Sequence, residues 1–152
     1  EVVRGMVAAG RKGDRARGEI LFESARAGCI ACHKIGNQGG MIGPELSAVG
    51  SGVPADRIVT EVLWPARQVK GGYALSRITM RDGRVLQGYL QESRDKKLLL
   101  LRDFAGAGMH EVEAEMVSKQ EPIGSLMPPT AQSLSRDELS DLFAYLFSLV
   151  GK

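Results

Sequence analysis

The chain is short of the residues that usually do chemistry. It has two cysteines, two histidines and one tryptophan among 152 residues, and aromatics make up 5%. Little catalytic or metal-binding chemistry is therefore available. No run approaches the ~18 apolar residues of a membrane span. A surplus of one charge is also missing: 20 basic against 18 acidic residues leave a net +2, too small for a nucleic-acid binder. With 43% hydrophobic and 25% charged residues, the composition is that of a globular protein. The length suits one domain, or one domain with an elaboration.

The N-terminal residues 1–10 lack a basic stretch followed by an apolar one, so they do not read as a signal peptide. They read as the end of a preceding helix or linker, and the expectation is an excised or processed chain with a linker or helical tail over 1–12. Asp14 caps a predicted helix over 16–27, with Ile20, Leu21 and Phe22 apolar and Gly28 as its stop. Residues 34–53 read as a glycine-rich loop, of a length that usually signals function. A helix over 54–63 ends at Trp64-Pro65, because the residue before proline is pushed out of helical geometry. From Tyr73 the period becomes two. Strands are predicted on both sides of the Asp82-Gly83 turn, over 97–102 and over 109–112, with a helical turn at 113–120. Ser135 and Glu138 form a capping box ahead of Leu139, Leu142, Phe143, Leu146 and Phe147 at helical spacing.

Three of the four cysteines and histidines stand together as Cys29-Ile30-Ala31-Cys32-His33. C-x-x-C-H is the haem c attachment pattern. Each thiol adds across one vinyl group, its hydrogen going to the neighbouring carbon, and the adjacent histidine is held under the iron. Other readings are weaker. A thioredoxin-type dithiol should follow a strand and open a helix, whereas this motif follows a helix and opens a loop. A structural zinc site needs four ligands, which here would require His110. A plain disulfide leaves His33 and the glycine loop unexplained.

A histidine-ligated haem iron takes methionine, histidine or nothing on its other side. Met41 shares the His33 loop, Met6 lies in the tail, and Met80, Met109 and Met116 belong to the β region, where packing is the ordinary use. Met127 precedes Pro128 and Pro129, which stiffen the chain and offer no amide to compete. It is the expected second ligand, ahead of His110.

These residues resemble class I cytochromes c. The resemblance lies in Cys29-x-x-Cys32-His33, Gly43-Pro44, Met127-Pro128, the Gly18–Phe22 segment and the final helix with Leu139, Leu142, Tyr145 and Leu146. Closer still is the haem-binding domain of the Pirellula and Verrucomicrobium type, through Gly39-Gly40-x-x-Gly43-Pro44-x-Leu46, Gly72-Tyr73, Asp82-Gly83-Arg84-Val85-Leu86-x-Gly88 and Ser125-Leu126-Met127-Pro128. The resemblance implies a mainly α fold over 13–150, a class I cytochrome c domain with an antiparallel β-meander inserted at about 71–119. It implies one covalent haem c with iron ligands His33 and Met127. Gly18 would allow a close helix crossing near Tyr145, and the Pro44 carbonyl would accept the proton of His33's other ring nitrogen. Ile30, Leu46, Trp64 and Leu126 would shield the ring; Trp64, Arg67, Lys70 and Arg77 are candidate partners for a propionate, against the ordinary reading that each basic residue is simply solvated.

The function expected is electron transfer, not enzymatic turnover. The chain would serve as the C-terminal electron-accepting module of a larger secreted protein, or as a soluble carrier. Its partner would be a redox protein or an upstream dehydrogenase-like domain. The alternative is a five-coordinate haem sensor or peroxidase-like enzyme, for which only His110 remains as a distal base. Because haem c is attached outside the bacterial cytoplasm, the expected compartment is periplasmic or otherwise extracytoplasmic.

Overall fold

The structure is a computed structural model that describes residues 1–69, 73–102 and 108–151. It corrects the expected fold class. The chain is not a mainly α cytochrome c fold. It is mixed α/β, with six α-helices and a five-stranded antiparallel sheet among the described residues. The reason is physical. The period-two segments do not merely decorate a helical domain, but build a second compact unit with its own core. One unit comprises Glu1–Arg67 with Pro128–Lys152, the other Gln68–Met127. Among the described residues no helix is long and apolar enough to cross a membrane.

The first unit contains α1 (Val2–Gly10), α2 (Arg15–Glu23), α3 (Cys29–Cys32), α4 (Val49–Gly52), α5 (Ala55–Leu63) and α6 (Arg136–Ser148). Asp14 caps α2, its carboxylate accepting from the Arg17 N–H at 2.9 Å. This helix stops at Glu23, earlier than its apolar pattern suggests, because Ser24 turns extended. Within the expected 34–53 loop the chain makes the single turn α4. Helix α6 carries the Ser135/Glu138 capping box, and Glu138 also pairs with Arg26. Phe22, Val59 and Phe143 are almost wholly buried at the centre of this unit.

The crossing of α2 and α6 depends on Gly18. A Cβ there would stand 1.9 Å from the Asp141 carbonyl oxygen and 2.9 Å from Tyr145 Cβ. One turn before Tyr145, the buried Asp141 carboxylate ties the helices together. It accepts from the Asp14 N–H at 2.7 Å and from Arg17 Nε at 2.8 Å. The Arg17 hydrogen bond, with help from the Asp14 N–H, holds the Asp141 carboxyl below its ordinary range. A folded-state value below the unfolded one stabilises the fold above the unfolded pKa, and that contribution disappears as pH falls through the folded value. Arg17 is 70% exposed, so solvent screens its charge and the part-buried hydrogen bonds dominate. Asp141→Asn is therefore expected to cost about 1–2 kcal/mol near neutral pH. In chemical unfolding, the gap from the parent should close as pH drops below about 4. A pH-independent gap would show that the charge on Asp141 contributes nothing.

The second unit contains β1 (Leu75–Met80), β2 (Val85–Glu92), β3 (Leu98–Arg102), β4 (Met109–Glu113) and β5 (Val117–Gly124), in the order β4-β3-β2-β1-β5. Gly83, at φ 90°, makes the first turn with Asp82. The segment expected as a helical turn at 113–120 is instead a short 3-10 turn, Ala114–Met116, followed by β5. Its polar residues hide the strand because β5 lies at an edge and pairs only with β1.

The topology forces this sheet to curl. Flat strands at ~4.8 Å spacing would put β4 and β5 roughly 19 Å apart. The 3-10 turn joining them advances only ~2 Å per residue. Ile78, Met80, Leu99, Leu101 and Val112 fill the inside of the curl.

Candidate haem-attachment site

The Cys29–His33 motif occupies one tight turn. Gly28 enters it with φ 69°, in the left-handed region that glycine adopts without a Cβ penalty. Cys29, Ile30, Ala31 and Cys32 form α3, and His33 leaves it in extended geometry. The His33 N–H bonds back to the Cys29 carbonyl at 2.9 Å. The two thiols are free and half-buried. Burial pushes the Cys29 thiol up to about 11, so it is protonated at neutral pH.

The loop after the motif folds back along it. Gly40 donates to the Ile30 carbonyl at 2.9 Å, Gly43 to the Cys32 carbonyl at 2.8 Å, and Leu46 to the Lys34 carbonyl at 2.9 Å. These contacts need glycine for space. A Cβ on Gly40 would lie 1.9 Å from the Ala31 carbonyl oxygen, and a Cβ on Gly43 would lie 2.6 Å from His33 Cε1. The loop therefore packs its bare backbone against the imidazole.

His33 Nδ1 stands 2.8 Å from the Pro44 carbonyl oxygen. A carbonyl only accepts, so Nδ1 carries the proton and Nε2 keeps its lone pair. Burial lowers the His33 pKa, against the opposing effect of the Pro44 bond, and so favours the neutral imidazole that a metal requires. Two thiols one turn apart, with an adjacent neutral imidazole of fixed tautomer, fit a haem c. Cys29, Cys32 and His33 are the residues that would hold it, with the Pro44 carbonyl fixing the imidazole from behind.

The remaining predicted residues are distributed as follows. Leu46 and Ile30 pack at the edge of the helical core. Trp64 caps the C-terminus of α5 and is half-buried, with the Arg67 guanidinium 4.1 Å from its ring centroid. Leu126 and Met127 are half-buried at the end of the second unit. The Met127 N–H bonds to Ser125 Oγ at 3.1 Å. In that same unit Arg77 Nε is 3.1 Å from the side-chain amide of Gln87. Lys70 and Gly72 lie outside the described residues.

Among the described residues, no three of His, Cys, Asp and Glu gather as a metal-holding group. Cys29, Cys32 and His33 by themselves form no such group. Sequence reasoning missed Asp141. Its only signal is a carboxylate placed between the apolar positions Leu139 and Leu142 of α6. No protein-family model matches this chain, and no curated protein matches it.

Proposed function

We propose that this chain carries one covalently attached haem c and passes single electrons. The observation that supports this best is the orientation of His33: its Nδ1 proton is engaged by Pro44, and the absence of a side chain at Gly43 leaves room for the ring. Cys29 and Cys32 would form the two thioethers, and His33 Nε2 would be the first axial ligand. Met127 is proposed as the second, with Trp64, Leu46 and Leu126 shielding the ring. When bound, the haem supplies a one-electron iron couple. The protein's part is to fix the imidazole tautomer, which strengthens the ligand, and to keep water from the group.

On this reading the chain is an electron-transfer module or carrier, not an enzyme. It works in an extracytoplasmic compartment of a bacterium and exchanges electrons with a redox protein or an upstream dehydrogenase-like domain. A methionine ligand raises the reduction potential and closes the site to small molecules. Met127→Ala is expected to leave haem on the chain but to convert its low-spin spectrum to one with high-spin character. It should also remove the near-infrared charge-transfer band of ferric thioether ligation. Optical and magnetic circular dichroism spectra test this, and an unchanged spectrum would assign the second ligand elsewhere.

A further inference from the structure

The two edges of the curled sheet are not equivalent. Edge β5 is blunted in the usual ways: it contains Pro122, exposes Lys119, and shifts register twice against β1. Edge β4 has no proline or lysine and runs in unbroken register along β3. No strand among the described residues covers its other side.

Alternation fixes what that edge offers. The Ala114 N–H donates to the Lys97 carbonyl of the β3 side at 2.8 Å. Along an antiparallel strand every second residue points its backbone groups the same way, so Val112 and His110 also face β3. The N–H and C=O groups of Met109, Glu111 and Glu113 therefore point outward. All three residues are exposed, Met109 at 52%. Glu111, Glu113 and the following Glu115 form no ion pair among the described residues.

We infer that β4 is a docking edge for an extended segment of a partner protein, one that alternates Lys or Arg with apolar residues. The open backbone groups would pair as an added strand. The cations would fall beside Glu111 and Glu113 on one face, and the apolar residues beside Val112 on the other. Charge disfavours a second copy of this chain as occupant. Antiparallel self-pairing centred on Glu111 or Val112 sets carboxylates directly opposite each other, which is destabilising. This inference does not rest on the haem proposal.

The test uses the whole chain, isotopically labelled, and a capped synthetic peptide of alternating lysine and valine. Backbone amide shifts on titration should centre on residues 109–113. N-methylation of the peptide at the positions that face β4 should weaken binding at least about tenfold, because the added strand loses its donors. Glu111→Lys with Glu113→Lys should do the same, since attraction becomes repulsion at two positions. Glu111→Gln with Glu113→Gln should fall between that variant and the parent. No binding, shifts centred elsewhere, or equal binding of the N-methylated peptide would each overturn the inference, the last by showing attraction of charge without strand addition.

Discussion

Gly18→Val is expected to unfold the helical unit or to destabilise it by about 3 kcal/mol or more. The obstacle is backbone: a Cβ at position 18 would lie 1.9 Å from the Asp141 carbonyl oxygen, so no side-chain rotation relieves it. Helices α2 and α6 would have to separate. Separation would also break the Asp141 bonds to Asp14 and Arg17 and loosen the contact of Phe22 with Tyr145, whose ring centroids are 5.5 Å apart. Gly52→Ala is the control, since a Cβ there meets nothing within 4 Å. It should change stability by no more than about 0.5 kcal/mol. Thermal and denaturant unfolding of both variants checks this. A Gly18→Val protein as stable as the control would refute the close crossing.

Gly43→Val is expected to disable the site while leaving Cys29 and Cys32 untouched. The new side chain would start 2.6 Å from His33 Cε1, pushing the imidazole away and breaking its 2.8 Å bond to Pro44. On the haem reading, the thioethers still form but the low-spin spectrum weakens. Loss of the hydrogen-bond partner behind a metal-bound histidine costs about 10–100-fold in affinity or activity, and electron-transfer rates should fall comparably. His33→Ala gives the reference spectrum for complete loss of the ligand. A Gly43→Val protein with parental spectrum and rates would show that the loop backbone does not position His33.

Local signals in the sequence were legible where the physics is local. The α6 capping box depends on residues three apart, and the Asp82-Gly83 turn on one positive φ. The Cys29–His33 turn is likewise local, five consecutive residues closed by the His33 N–H on the Cys29 carbonyl. What is long-range was not legible. The spacing of β5 shows no apolar alternation, and its partner β1 lies roughly forty residues earlier. Without β5 the strands read as an elaboration of a helical domain. With it, a curled five-stranded sheet has its own core, and the fold class changes. Asp141 illustrates the same limit. Its polar character argues for solvent, yet it is buried because the Asp14 N–H and Arg17 reach it from a helix far away in sequence.

The central claim is tested most directly by the mass of the whole chain made in a bacterium that attaches haem c in its periplasm. The account predicts a protein heavier by one haem, which stays bound through acid-acetone extraction and gives the alkaline pyridine spectrum of a two-thioether haem. It also predicts that Cys29→Ser with Cys32→Ser yields the same fold without that mass. A parent chain with free or bridged cysteines and no haem, or with haem that extracts, would contradict it.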